Sequence, residues 1–557
     1  MGALQKKAVE STPEFRRISS LPRRAPEISD VDTQALTDVL RTPAGTMSLR
    51  PVQALALHDV ATRGGLAGPI RVGGGKTLVS LLAPHVLGAR RPLLLLPAAL
   101  VGKTERERAS LMKHWLIPRN IRIQSYEGLG RASSAQFLNL YRPDVIIADE
   151  AHRLKNSRAA CTRRVTRYMN DNPETKFLAI SGTFMKHSIR DFAHLMAWSL
   201  KEGSPVPTVD GEIEEWSDAL DEKVNFLTRI RPGVLGRDLD AARHWFQSRV
   251  LETPGVVSTP GDAVGCSLYI RPLVYDVNAA TEDNFIRLRN EWSRPDGWAL
   301  SQAVDIWRHA RELALGLHYR WRVDPPVEWL QRRKDWAKFA RDTIKNSKQL
   351  DSELQVVNAC DRGELDTTYL QRWREIRGTY EIEPDHVWHD DSALQVCQTW
   401  MQHNDGIVWC EHIFFAEELA RRTGAPYYAA GGLDRRSGQA VESEVGDRPI
   451  ICSVASCGTG RNLQAFSKNL VTSCFTGADI AEQLIGRTFR SGQQADAVEF
   501  DIMLGCAEHW NAFDGALKDA KMHADVLGQP QALLIADIID WPAERADSAR
   551  WCKTSAK

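Results

Sequence analysis

Asp144-Val145-Ile146-Ile147-Ala148-Asp149-Glu150-Ala151-His152 is an apolar run that ends abruptly in two adjacent carboxylates. Val and Ile with little polarity between them read as a strand buried on both faces of a parallel sheet. The carboxyl end of such a strand is where open α/β sheets place their ligands. Two acids at that position need a cation. Asp149 is suited to hold Mg²⁺, directly or through water, and Glu150 to orient and deprotonate an attacking water. Acids also favour a helix N-terminus for electrostatic reasons, so the run alone leaves a plain strand-to-helix junction equally open.

Upstream, Gly73-Gly74-Gly75-Lys76-Thr77 lies between Pro69-Ile70-Arg71-Val72 and the apolar Leu78-Val79-Ser80-Leu81-Leu82. Strand, glycine turn and helix in that order make a phosphate cradle. Backbone N–H groups surround the anion, Lys76 meets the outer phosphates and the Thr77 hydroxyl reaches the metal. The longer eight-residue phosphate-loop pattern is not met, because Ile70 stands at its first glycine position. A glycine turn alone is usually only a turn. Its conjunction with the acid pair is far more specific.

Working outward, the pattern repeats. Gly68 to Val72, Leu93 to Pro97, Ile121 to Tyr126, Val145 to Asp149 and Phe177 to Ser181 read as strands, each separated by enough chain for a crossover helix. A second alternation runs through Ile407 to Cys410, Pro426 to Ala429, Ile450 to Val454, Leu470 to Cys474 and Val498 to Met503. The expected fold class is therefore α/β: two doubly wound parallel-sheet lobes, with a mainly helical insertion between them. The expected division is an N-terminal arm over 1–45, a first lobe over 46–200, the insertion over 201–390, a second lobe over 391–540 and a tail over 541–557. The arm mixes Arg16-Arg17 and Pro22-Arg23-Arg24 with few periodic apolar positions, and reads as mobile or loosely docked.

Three further stretches carry polar chemistry. Leu49-Arg50-Pro51-Val52-Gln53 opens a helix whose Gln53 amide could meet an adenine edge, which needs both a donor and an acceptor. Ser181-Gly182-Thr183 ends the last strand of the first lobe. In the second lobe, Gly458-Thr459-Gly460-Arg461-Asn462-Leu463-Gln464 and Gln483-Leu484-Ile485-Gly486-Arg487-Thr488-Phe489-Arg490 are the informative loops. The spacing of Arg487 and Arg490 predicts one helix face, serving either as a phosphate grip or as a surface ion-pair patch. In the insertion, Trp292, Trp298, Trp307, Trp321, Trp329 and Trp336 stand among Arg320, Arg322, Arg332, Arg333, Lys334, Lys338, Arg341 and Lys345. Trp329, Trp336 and Phe339 predict a helix with an aromatic core face and a basic face able to touch backbone phosphate.

The totals exclude several classes. At 557 residues the chain exceeds a single core. No apolar run approaches the ~20 residues of a membrane span, so no membrane partner is expected and the cytoplasm is the expected compartment. The ten cysteines are scattered without close pairs, which disfavours a zinc knuckle or a disulfide framework. Lys and Arg total 71 and so do Asp and Glu, so nucleic acid would have to be held by a local basic surface.

In their order, these six motifs resemble the Swi/Snf-like ATPases of helicase superfamily two, of the Asp-Glu-Ala-His type. Ser491-Gly492-Gln493-Gln494 matches the glycine-glutamine tail of that family's final arginine motif. The compact length and Trp-rich insertion look more like the phage-encoded branch, which would put the protein in a host cytoplasm. The resemblance implies two RecA-like lobes with ATP and Mg²⁺ in the cleft. Gln53 would read adenine and Gly73, Gly74, Gly75, Lys76 and Thr77 would hold phosphate. Thr77 and Asp149 would serve the metal and Glu150 the water. Gly460, Arg487 and Arg490 would complete the site from the second lobe. It also implies a motor tracking on double-stranded DNA, with replication or recombination proteins as candidate partners. The alternatives are a strand-separating DNA or RNA helicase and a non-catalytic nucleic-acid-binding or recruiting module. Arg71, Phe184 and Arg461 depart from the family pattern.

Overall fold

A computed structural model describes residues 9, 12–24, 31–71, 73–185, 188–221, 239–259, 266–300, 302–347, 349–490 and 492–539. The tail beyond 540, Val72 and Ser491 lie outside the described residues. The chain is mixed α/β, with two parallel sheets of five and seven strands among many helices, compatible with two RecA-like lobes. It forms two compact units. The first comprises Met1–Asp262, Ala337–Thr367 and Lys521–Gln531, and the second the remaining segments.

In the first unit, β1 (Leu66–Pro69), β2 (Pro92–Leu96), β3 (Arg122–Ser125), β4 (Val145–Asp149) and β5 (Lys176–Ser181) lie in the order β1-β5-β4-β2-β3. The apolar run of β4 is explained by its two covered faces. Ile146 and Ala148 enter one core with Phe177 and Phe184, whereas Val145 and Ile147 enter another with Leu78, Leu81 and Leu94. β1 starts and ends earlier than the sequence predicts. Ala67 is bridged in parallel to Val256 on its free side, and the backbone leaves the ladder after Pro69.

Residues 12–24 of the N-terminal segment are docked, contrary to the expected mobile or loosely docked arm. Ile18 is fully buried, the Phe15 ring stacks on Trp245 at 5.5 Å, and Arg17 donates to the carbonyls of Glu202, Ser204 and Val206. Two arginines extend the strap: Arg24 pairs with Asp59, and buried Arg249 donates to the carbonyls of Leu21 and Pro22. With Phe15 and Ile18 as the apolar anchors of one short helix and the remaining hold made by arginines on carbonyls, little apolar periodicity is left to read.

In the second unit, β6 (Ser267–Val274) joins a sheet otherwise built from later chain. β7 (Leu317–Trp321) and β8 (Pro384–Trp388) form a separate antiparallel pair. The later strands are β9 (Ile407–Cys410), β10 (Tyr427–Tyr428), β11 (Ile450–Ser453), β12 (Lys468–Val471), β13 (Ala497–Leu504) and β14 (Asp537–Ile538), giving the order β10-β11-β9-β12-β13-β6-β14. Residues 201–390 are thus shared between the two units, and one of their strands pairs with β13 along its whole length. The interior Arg271 and Pro272 of β6 hide it from a hydrophobic-run reading. β12 ends at Val471, before the predicted Cys474, as Thr472 turns to donate both its N–H and its hydroxyl to the Trp409 carbonyl.

No helix among the described residues is long and apolar enough to cross a membrane. Each unit buries a neutral histidine. Burial pushes His509 down to about 3 and His523 down to about 4. An unfolded histidine titrates near ~6.5, so on acidification the unfolded chain takes up protons before the folded one. The stability these groups contribute is complete above that pH and falls progressively toward pH 4. The apparent melting temperature should therefore drop between neutral pH and pH 5, with a shallower drop in His509→Gln and His523→Gln. A melting temperature flat over that interval in the unmodified chain would remove the argument.

Candidate functional site

β1, β5 and β4 are adjacent, and their carboxyl ends bring three distant motifs to one place in the first unit. Register sets Pro69 beside Ser181 and Asp149 beside Ile180. The glycine turn follows β1, and Gly75 takes φ +78° as the N-cap of the helix Lys76–Val86. A side chain there would be strained, and its Cβ would fall 2.1 Å from Gln53 Nε2. Gly73 takes φ +88° and Gly74 donates its N–H to the Arg71 carbonyl.

Gln53 is buried and its amide is engaged on both sides. Oε1 accepts from the Arg50 N–H at 2.9 Å and Nε2 donates to the Gly75 carbonyl at 3.2 Å. In this arrangement Gln53 braces the glycine turn and does not present a free edge to a base. Two supports lay beyond sequence reasoning. Arg50 donates to the Gly73 carbonyl at 2.8 Å, and Thr259 Oγ1, itself bonded by Gln529, accepts from the Arg71 N–H at 3.0 Å. Nothing in the sequence marks residues 259 and 529, since both come from segments far from the turn.

Lys76 begins the helix with its ammonium buried, without a hydrogen-bond acceptor and 3.5 Å from Glu150 Oε1. Thr77 is partly exposed on the same turn. Glu150 has a left-handed backbone (φ +57°, ψ +50°), an unusual conformation for a non-glycine residue and one that its surroundings must enforce. The Tyr126 hydroxyl, buried below, donates to the Asp149 carbonyl at 2.8 Å. The Asp149 carboxylate accepts from the Glu150 N–H at 3.1 Å, and burial together with the neighbouring Glu150 charge pushes its carboxyl up to about 7, against the opposing pull of Lys76.

Behind the acids, His152 Nδ1 lies 2.9 Å from Ser181 Oγ, 3.3 Å from Thr183 Oγ1 and 3.4 Å from Glu150 Oε2. Ser181 Oγ also donates to Glu150 Oε2 at 3.5 Å. The Ser181-Gly182-Thr183 turn is therefore wired to the acid pair through one imidazole. Phe184 is fully buried in the core.

The residues present fit a nucleotide and its metal. The buried Lys76 ammonium is paired with Glu150 at 3.5 Å but has no hydrogen-bond acceptor, so it can still bond an anion, and two crowded carboxylates favour a cation. Among the described residues there is no cluster of three or more His, Cys, Asp or Glu suited to a metal. Mg²⁺ carried on phosphates needs only one or two protein oxygens, which Asp149 and Thr77 can supply.

In the second unit the two informative loops form one cluster. The helix Ala478–Ile485 stops before Arg487, so the two arginines occupy the turn that follows and not a helix face. The predicted shared face fails because Gly486 caps the helix. Their environments differ. Arg487 is buried, donating from Nε to the Gln483 carbonyl at 2.6 Å and from Nη1 to the Arg461 carbonyl at 3.2 Å, while its own carbonyl accepts from the Leu463 N–H. Arg490 is partly exposed, with Nη1 2.6 Å from Asn462 Oδ1. Gly460, at φ +75°, shapes the neighbouring loop 458–464. Arg461 turns its side chain away to Glu442 and the Gly431 carbonyl. Gln493 donates to the carbonyls of Phe466 and Thr488.

The helix Val327–Asn346 buries Trp329 and Trp336, and Trp329 meets Trp373 and Tyr380 edge-on. These tryptophans are core. Arg332 is held by Glu328 and Glu375, and Arg333 lies over the Trp329 ring. Comparison with protein-family models finds no match to this chain, and comparison with curated proteins finds none either.

Proposed function

We propose that the protein is an ATP-dependent motor that hydrolyses ATP and tracks on double-stranded DNA. One observation carries the ATPase reading: the glycine turn, the acid pair and the Ser181 turn converge on a buried Lys76 ammonium that has no acceptor of its own. In this reading Lys76 binds the outer phosphates and the turn's N–H groups line them. Thr77 and Asp149 hold the metal, which when bound draws charge off the phosphate oxygens. Glu150 takes the proton of the attacking water, and His152 with Ser181 keeps its carboxylate aimed. Arg490 neutralises charge developing on the transferred phosphoryl group, while Arg487 holds the loop that carries it.

The DNA part rests on the resemblance and on exposed basic side chains. A strand-separating helicase would use the same nucleotide chemistry, whereas a recruiting module would need none of it. The test is phosphate release with and without duplex DNA, on the unmodified chain and on Lys76→Ala, beside triplex displacement and forked-duplex unwinding. DNA-stimulated release that disappears with Lys76, together with triplex displacement and no unwinding, is expected. Unwinding of the fork would favour the helicase. Lack of any lysine-dependent release would leave the recruiting module.

A further inference from the structure

We propose that the outward face of the Val327–Asn346 helix is a track for the phosphate backbone of duplex DNA, formed by Lys338, Arg341 and Lys345 and prolonged by Lys334. The proposal rests on the DNA-motor reading above and names the surface that reading requires. At 3.6 residues per turn these four positions fall within an arc of about 60°, opposite the side that buries Trp329, Trp336 and Ala340. All four are exposed, and no ion pair or hydrogen bond joins their side chains to another described residue.

The other basic residues of the helix are excluded by their partners. Arg332 is committed to Glu328, Glu375 and the Arg372 carbonyl, and Arg333 to the Trp329 ring. Asp342 borders the stripe four residues from Lys338 but forms no pair with it. Like charges at three- and four-residue spacing weaken a helix, so an ordinary solvated face alternates them with acids. Here the chain's net charge is zero, yet one helix face gathers a single sign.

The chemistry and dimensions select the ligand. The stripe is about 16 Å long, enough to meet about two or three successive phosphates of one strand. Lysine and arginine on flexible stems suit backbone contact, which positions a protein without reading sequence. A lipid surface is disfavoured because a membrane-lying helix offers apolar side chains to the acyl boundary, and those of this helix are turned into the protein core.

The carboxyl half of the helix is also firmly mounted in the first unit. Arg163 donates to the Ser347 carbonyl at 2.7 Å. Buried Arg164 grips buried Asp351 at 2.6 and 3.1 Å, with Arg167 3.3 Å away. These arginines belong to the helix Ala160–Asp171, which follows the Asp149–His152 turn along the chain. A track fixed to that helix is fixed to the frame of the nucleotide site.

The experiment replaces Lys338, Arg341 and Lys345 together by Ala in the full chain. It follows binding to a labelled duplex by fluorescence anisotropy over a range of salt, without nucleotide. Each lost phosphate contact should flatten the plot of log affinity against log salt by ~0.9, so the triple variant should be shallower by about 2 to 3. The charge-preserving triple Lys338→Arg, Arg341→Lys, Lys345→Arg should keep the full slope. Basal phosphate release without DNA should be unchanged, while its stimulation by duplex is lost. An unchanged slope in a variant with unaltered melting overturns the proposal. So does a loss confined to binding of phosphatidylserine vesicles. The slope is read without turnover, so an inactive unmodified chain would sink the ATPase reading while leaving this test standing.

Discussion

Glu150→Gln is expected to bind ATP as tightly as the unmodified protein and to lose turnover by about 10² to 10⁴, the range a positioned general base supplies. The substitution keeps the shape of the side chain and its capacity to accept from Ser181 Oγ, but an amide cannot take the proton of water. The left-handed backbone at residue 150 and the contacts from Lys76, His152 and Ser181 hold that position from several sides, so the geometry should survive the change. Loss of the Glu150 charge also releases Lys76 from its ion pair with Glu150, which favours phosphate binding if it alters it at all. The measurement is nucleotide affinity by titration calorimetry together with single-turnover hydrolysis. Near-normal hydrolysis in Glu150→Gln would show that another group activates the water, and Asp149 would become the first candidate.

Arg490→Ala should reduce kcat by about 10³ or more, the effect of losing an arginine that stabilises a phosphoryl transition state, at nearly unchanged melting temperature. Arg487→Ala should behave differently. Its guanidinium is buried on the carbonyls of Gln483 and Arg461, and removing it takes a charged donor away from both. A destabilisation of about 2 to 4 kcal/mol is the scale for breaking such a pair of charge-assisted bonds. The two variants thus separate chemistry from structure within one turn of chain. Thermal melting and steady-state hydrolysis, read side by side, decide it. If Arg490→Ala merely melts earlier with kcat intact, it is a structural arginine and the phosphoryl-transfer role falls.

Much of the candidate site was legible because its parts are local. β4 runs from Val145 to Asp149 as the apolar run predicts, and β9 from Ile407 to Cys410 likewise. Strands buried on both faces must be continuously apolar, which is a signal carried by neighbours in sequence. The Gly73–Thr77 turn is equally local, since close approach to an anion demands glycine at fixed offsets. The misses are of another kind. β6 pairs with β13 across more than two hundred residues, and among the described residues β14 covers Tyr269 and Ile270 of its other side but not Arg271 and Pro272. Apart from Phe15 and Ile18, the N-terminal strap is held by arginines on carbonyls, and a carbonyl is present at every residue, so little in the sequence announces it.

Residue type and order by themselves determined which chemistry is on offer: a glycine turn with one lysine, two acids ending a buried strand, small hydroxyls after another, and arginines late in the chain. Only the tertiary structure decided how each is used. It turned Gln53 inward to brace Gly75, and set His152 between Ser181 and Glu150. It buried Arg487 while leaving Arg490 partly exposed, and left Lys338, Arg341 and Lys345 on one outward face while Arg332 was neutralised. The reason is physical. A side chain's chemical nature travels with its identity, but its charge environment, its solvation and the partner that consumes its hydrogen bonds are set by atoms brought near from elsewhere in the chain.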